Sequence, residues 1–405
     1  MIKLLIGGSP CTHWSIAQRK DRETTASGLG WELFKNYLLA KERFKPDLFL
    51  YENNKSAARA IKDQISHELG VNLMYINSAL VSAQSRQRFY AFNWEIEQPK
   101  ERGIVLQDIL ETPIAKTQNK KMSLLCHNIP QEVTVRKYTC DIEKLKNVLR
   151  EHKSLTNQQI ASALNKPITL VEHWFRKDKC FSVPDADIWF ELKKLLKIQT
   201  AEFDNFITVF ETRAGVFEKS NRHYDTRGKM STIMTNSNDK ILIPCTENNY
   251  SYEVKNGKIK VKDKEFEINL PNGFYLSRTP TVKEYHRLQT MPDNYCKAIP
   301  ESKAIRTLGN GWTAEVIIHI LSGALANVDR NEKIVVLSMY DGIGTGRYCL
   351  DKMGFKNVEY YAFEIDESAM KVANDNYPDI MQYGDAFQMR DNTFNINGLL
   401  SEVFV

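Results

Sequence analysis

Three short apolar runs, Lys3–Ile6, Leu48–Tyr51 and Ile334–Met339, each stop in a loop of glycine, acid or amide residues: Gly7-Gly8, Glu52-Asn53-Asn54 and Asp341-Gly342. Uninterrupted apolar runs of this length suit a parallel sheet covered on both faces, where neither side of a strand meets water. Between the first two runs, Trp31, Leu33, Phe34, Tyr37, Leu38 and Ala40 recur at helical spacing, so 3–51 reads as one β-α-β unit. The fold class is therefore α/β. In such sheets functional residues collect at the C-terminal ends of the strands.

With 405 residues, 42% hydrophobic and 26% charged, the chain exceeds what one small domain needs. A net charge of +5 permits a polyanionic partner without requiring one. No run of about 18 apolar residues occurs, and Met1–Ile6 is cut short by glycines, which predicts a cytoplasmic protein with no membrane partner. The cysteines Cys11, Cys126, Cys140, Cys180, Cys245, Cys296 and Cys349 are scattered, without a C-x-x-C pair. That pattern indicates neither a disulfide framework nor a metal site, and leaves room for a chemical thiol.

The middle of the chain has a different texture. Asp141–Ile198 carries helical spacing throughout, with a tight break at Asn165-Lys166-Pro167 followed by Glu172, His173, Trp174, Arg176 and Lys177. Two short helices about such a break fit a helix-turn-helix. A helical insert whose polar face is merely solvated fits equally. Further on, Val254, Ile259 and Val261 flank Asn256-Gly257, the turn pair of a two-residue hairpin. Boundaries fall near Cys126–Gln131 and Pro271-Asn272-Gly273, giving segments 1–127, 128–270 (with the insert 141–198), 271–330 and 331–405.

Cys11 follows Pro10 on a strand-to-loop turn lined by small residues, where a thiol is accessible as a nucleophile. Glu52 ends the next strand. A carboxyl there is placed to hydrogen-bond a ring nitrogen and make the ring electrophilic. Arg86 and Arg88, in Gln84-Ser85-Arg86-Gln87-Arg88, fall on one side of an extended segment and can clamp a phosphate or a base carbonyl. Tyr340-Asp341-Gly342-Ile343-Gly344 is a glycine turn after a strand, with Glu364 at the end of the next strand, placed for ribose hydroxyls. The turn lacks the G-x-G-x-x-G of dinucleotide binders. Asp341 and Asp385 suit a cofactor that carries an amino group and a sulfonium, namely S-adenosylmethionine.

Together these residues resemble DNA cytosine-5 methyltransferases. Pro10-Cys11, Glu52-Asn53 and Gln84-x-Arg86-x-Arg88 resemble the family's central catalytic blocks, and Arg222–Ile233 the segment leaving its target-recognition domain. Arg278-Thr279-Pro280 through Met291-Pro292 and Leu308–Trp312 resemble its last blocks; Tyr340–Gly344, Glu364-Ile365-Asp366 and Gly384-Asp385 resemble its first three. The order is rotated, which implies a circularly permuted, Rossmann-like S-adenosylmethionine-dependent sheet with an inserted target-recognition region.

The resemblance implies that Cys11 adds to C6 of a flipped-out cytosine while Glu52 binds N3 and the amino group. Arg86 and Arg88 fix the nucleotide. Tyr340, Asp341, Gly342, Ile343, Gly344, Glu364, Ile365, Asp366, Asp385, Asn310 and Trp312 hold S-adenosylmethionine, and the partner is double-stranded DNA. Two alternatives stay open: a tRNA cytosine-5 methyltransferase using the same blocks, and a helix-turn-helix regulator on a methyltransferase scaffold.

Overall fold

A computed structural model describes residues 1–16, 22–111, 119–129, 134–137, 141–178, 180–204, 209–212, 222–233, 239–261 and 264–391. It divides into two compact units, 1–129 with 219–405, and 130–218.

The larger unit is built on a seven-stranded sheet. In chain order its strands are β1 (Ile2–Gly7), β2 (Leu48–Asn54), β3 (Met74–Asn77), β4 (Gln87–Phe92), β5 (Ile334–Met339), β6 (Val358–Phe363) and β7 (Ile380–Gln382). Their order across the sheet is β7-β6-β5-β1-β2-β4-β3. The three apolar runs of the sequence are thus β1, β2 and β5, side by side and parallel. Strand β1, which opens the chain, pairs with β5 from Ile2↔Ile334 to Gly7↔Met339 and with β2 from Leu4↔Leu48 to Gly7↔Tyr51. Both faces are covered: Leu4, Ile6 and Val336 pack into one core, and Leu5, Leu337 and Phe363 into another with Phe34 and Tyr37. This accounts for the absence of polar alternation in these strands. Strand β4 runs antiparallel to both β2 and β3, so its N-terminal end lies beside the C-terminal end of β2, with Asn54 opposite Arg88. Glu52 itself stands opposite Tyr90, and Arg88, two residues along β4, lies diagonally across the pair from it.

The helix expected between the first runs spans Gly28–Phe44 and closes with Lys45 in the left-handed conformation. Asp366 caps the helix Glu367–Asn376 by accepting from the Ser368 and Ala369 amides, and Tyr377, before Pro378, is its C-cap. A second sheet holds, in spatial order, Lys264–Glu267, Lys258–Val261, Tyr252–Lys255, Gly273–Arg278, Lys240–Cys245, Arg222–Asp225 and Cys126–Asn128. Its Asn256-Gly257 turn has φ of 51° and 70°, the two left-handed positions a tight hairpin needs.

The smaller unit contains four described helices, Ile142–Glu151, Asn157–Ala163, Ile168–Trp174 and Ala186–Leu195. They enclose their own core of Leu145, Leu149, Ile160, Val171, Trp174, Trp189, Leu192 and Phe203. The strands Thr134–Lys137 and Val209–Thr212 pair antiparallel in the same unit. Where the sequence reads nearly continuous helix over 141–198, breaks intervene, the longest between Trp174 and Ala186. Among the described residues no helix is long and apolar enough to cross a membrane.

Candidate active site

The ends of β1 and β2 meet because two glycines let them. A Cβ on Gly7 would sit 2.4 Å from the Met339 carbonyl oxygen, and one on Gly8 would sit 2.7 Å from the Glu52 carbonyl oxygen and 3.0 Å from Glu52 Oε2. The loop that carries Pro10-Cys11 therefore leaves β1 in contact with the Glu52 side chain. Cys11 opens a short 3₁₀ turn, Cys11–His13, and keeps a free, half-buried thiol. Its backbone carbonyl accepts from the Trp14 and Ser15 amides. From below, the buried Asn53 amide donates to the Ser9 carbonyl at 2.9 Å and to the Tyr51 hydroxyl at 3.1 Å, and the Ser9 and Tyr51 hydroxyls lie 2.7 Å apart. These bonds tie Ser9, two residues before Cys11, to Tyr51 and Asn53 at the end of β2.

Glu52 is clamped from two sides. Arg88 Nε lies 2.9 Å from Oε1, and the Trp312 indole N–H donates to Oε2 at 3.1 Å. The sequence groups Trp312 with cofactor contacts; in the structure its indole nitrogen donates to Glu52. Asn310, from the same block, ends the helix Glu301–Asn310 and is exposed. Glu52 pairs with Arg88 rather than with its sequence neighbour Arg86, because Arg88 faces the end of β2 across the antiparallel pair.

Arg86 instead donates through Nη2 to the Gly311 carbonyl at 2.9 Å, and its buried Nη1 has no hydrogen-bond partner among the described residues. Burial and the neighbouring Arg88 pull its pKa down to about 10, against the opposing charges of Glu52 and Cys11. A buried guanidinium with one unused donor is a poised anion or carbonyl contact. The turn it touches is braced by residues that sequence reasoning passed over. Gln289 donates to the Leu308 and Gly311 carbonyls, and its side-chain oxygen accepts from Thr313 and Gln84. Gln289 lies inside a block quoted for its likeness alone; nothing local in the sequence signals this contact.

The glycine turn after β5 also adopts a built geometry. Tyr340 has φ of 62°, unusual for an aromatic residue, and its hydroxyl donates to the Leu33 carbonyl at 2.7 Å while Asn36 donates to it at 3.3 Å. Gly342 and Gly344 also have positive φ. Glu364 at the end of β6 accepts the Gly342 amide through Oε2 and the Ile365 and Asp366 amides through Oε1. Asp341 Oδ1 accepts from the Ser338 and Tyr360 hydroxyls, while its buried Oδ2 has no hydrogen-bond partner among the described residues. Burial pushes the Asp341 carboxyl up to about 6, and Glu364 adds to this. Ile365 is 70% exposed immediately beyond Glu364, and Asp385 caps the turn Ala386–Arg390. An unpaired buried carboxylate oxygen, an acid engaged only by backbone, and an exposed aliphatic beside it fit a ligand with a cationic group, a diol and a flat apolar ring.

The model of the C-5 cytosine-specific DNA methylase family matches residues 1–324. The chain belongs to that family. No curated protein sequence matches it. The matched span holds Cys11, Glu52, Arg86, Arg88 and Trp312 and ends before β5, so the glycine turn and Glu364 lie outside it. As a cytosine methyltransferase the protein has a cysteine, a carboxylate and two arginines near where β1 and β2 end and β4 begins, beside the turn after β5.

Proposed function

We propose that this cytosine methyltransferase acts on duplex DNA, through a covalent adduct between Cys11 and a cytosine turned out of the stack. The observation that carries the reading is the passage of the Cys11 loop over Glu52, with Gly8 leaving no room for a side chain between them. Cys11 adds to ring C6 as the thiolate. Glu52, held by Arg88 and Trp312, shares a proton with N3 and accepts from the exocyclic amine, which draws electron density from C6 and favours addition. The electron pair released by addition makes C5 nucleophilic. Arg86 offers its unused Nη1 to the base carbonyl or the flanking phosphate. After methylation, loss of the C5 proton and expulsion of the Cys11 thiolate restore the aromatic ring.

S-adenosylmethionine supplies the methyl group. Tyr340, Asp341, Gly342, Ile343, Gly344, Glu364, Ile365, Asp366 and Asp385 would hold it, with Asp341 opposite its cationic end, Glu364 toward its ribose and Ile365 against its adenine. Asn310 and Trp312 border this site through the turn they share with Arg86. We read the chain order as that of a circularly permuted family member, a reading supported by the parallel pairing of β5, which precedes the glycine turn, with β1, which opens the chain. The segment 141–198 we read as a helix-turn-helix within the target-recognition region 128–270.

Labelled methyl donor offered in parallel to duplex DNA and to tRNA tests the substrate. Label entering DNA alone is expected, and label entering tRNA alone defeats the reading. Bisulfite sequencing of DNA from cells that express the protein would locate the methylated cytosines.

A further inference from the structure

The smaller unit, where 141–198 is read as a helix-turn-helix and on which reading the inference rests, presents a surface that the chemistry at Cys11 and Glu52 does not use. The helix Asn157–Ala163 ends in a Schellman turn: Asn165 is left-handed with φ of 48°, the Lys166 amide donates to the Ala161 carbonyl at 3.0 Å, and the Asn165 amide donates to the Ser162 carbonyl at 3.3 Å. Pro167 then caps the next helix, Ile168–Trp174. So abrupt a turn sets the second helix across the first. Only Val171 and Trp174 of that helix are buried, at i and i+3, against Ile160, Leu145 and Leu149. Thr169, Leu170, Glu172 and His173 are left exposed, and Leu170 is 36% exposed although apolar. The His173 ring is fixed by Nδ1, 2.8 Å from the Cys180 carbonyl.

Charge is segregated along the unit. From 150 to 177 five cations, Arg150, Lys153, Lys166, Arg176 and Lys177, stand against two carboxylates, Glu151 and Glu172. Among the described residues of 178–204 the balance reverses, with Asp178, Asp185, Glu191, Glu202 and Asp204 against Lys193, Lys194 and Lys197. Of these cations Lys166 and Lys177 flank the exposed helix, while Arg176 is paired with Asp178.

We propose that this unit is a second DNA-binding site, in which the helix Ile168–Trp174 enters the major groove of duplex DNA while Lys166 and Lys177 contact phosphates. The exposed side chains match what a groove offers: Leu170 and the Thr169 methyl for a thymine methyl, Glu172 for a cytosine amine. An α-helix fits the wide B-form major groove and not the deep, narrow one of A-form RNA, so this surface selects DNA over folded RNA. None of it involves Cys11 or the cofactor turn. It thus adds affinity and sequence choice to whatever the catalytic unit contacts.

The test uses the full chain carrying Cys11→Ala, so that turnover does not enter the measurement. Binding to sheared mixed-sequence duplex DNA and to a folded RNA hairpin is titrated across salt, for this protein and for the same protein with Lys166→Glu and Lys177→Glu. The charge reversals are expected to weaken duplex binding at least about tenfold and to lower the salt slope by about 1 per lost phosphate contact. A milder variant, Thr169→Ala with Leu170→Ala, is expected to keep the salt slope and reduce discrimination among sequences in a duplex pool. Unchanged affinity and slope in the charge-reversed protein overturn the proposal, as does RNA binding equal to DNA binding and equally weakened. The methylation assays report separately. Absence of label in DNA, with duplex binding still sensitive to Lys166 and Lys177, would sink the catalytic reading and leave this one standing.

Discussion

Arg88 and Glu52 meet diagonally across an antiparallel strand pair, guanidinium Nε to carboxylate Oε1 at 2.9 Å, with both side chains about one-tenth exposed. The other carboxylate oxygen takes the Trp312 indole, from a turn 260 residues away in sequence. Glu52 is thereby held by two donors on different elements, beside a glycine that admits the Cys11 loop. Such preorganisation lowers the cost of aligning the carboxyl with an incoming ring.

Removing the thiol tests the nucleophile. Cys11→Ala is expected to reduce methyl transfer by on the order of 10⁴ or more while DNA binding persists, because no other described side chain takes over addition at C6. Incorporation of labelled methyl at a tenth of the original rate would assign the adduct elsewhere. A stable complex trapped by a 5-fluorocytosine duplex, present with Cys11 and absent with Ala, would report the adduct directly.

The Glu52 clamp separates chemistry from stability. Glu52→Gln keeps the size of the side chain and is expected to lower kcat by about 10² to 10⁴, the range of a lost general acid–base contribution, with little change in KM for DNA. Arg88→Ala leaves the buried carboxylate without its ionic partner. It should destabilise the fold by about 3 kcal/mol, read as a lowered midpoint in urea. A midpoint equal to that of the parent protein would show that the ion pair is not holding the site.

Acid should weaken cofactor binding through Asp341. Its carboxyl is raised to about 6 by burial, so it is neutral in the folded protein at pH 5 and charged at pH 7. A cationic ligand prefers the charged form, and affinity for S-adenosylmethionine should climb as pH rises through about 6. For the ligand-free protein the sign is opposite. The folded state binds more protons than the unfolded one between the ordinary carboxyl pKa and about 6, so stability falls as pH rises across that window, by roughly 3 kcal/mol in all. Asp341→Asn should remove both dependences, and calorimetric titrations at pH 5 and pH 7 that agree within error for the parent protein would contradict the assignment.

Packing at Gly8 should be unforgiving. The Cβ of Gly8→Ala would meet the Glu52 backbone carbonyl at 2.7 Å, and backbone atoms yield less than the end of a side chain. A loss of about 1–3 kcal/mol is expected, with activity falling further than stability because the Cys11 loop is displaced. Thermal unfolding and turnover measured on the same sample decide this.

Much of the frame is local enough to read along the chain. Lys3–Ile6, Leu48–Tyr51 and Ile334–Met339 announce buried parallel strands by composition, and Asn256-Gly257 its hairpin by backbone preference. Pro10-Cys11, Glu52 and the Tyr340–Gly344 turn carry their chemistry in a few adjacent residues. Asp366 caps its helix through a contact that spans three positions. These are short-range effects, and short-range effects survive in one dimension.

The pairings are another matter. The sequence groups Trp312 with the cofactor residues and takes Arg86 and Arg88 together as one clamp; the fold sets Trp312 and Arg88 on Glu52 and turns Arg86 toward Gly311. Gln289 braces that turn without any local mark of doing so. Which donor reaches which acceptor depends on strand register, on the antiparallel return of β4 and on the close passage that Gly8 allows, all set by long-range packing. By itself the sequence determined that the Cys11 loop, Glu52 and the Tyr340–Gly344 turn stand at strand ends. Only the tertiary structure decided which of them touch, because a hydrogen bond tolerates a few tenths of an ångström and no sequence spacing fixes distance that finely.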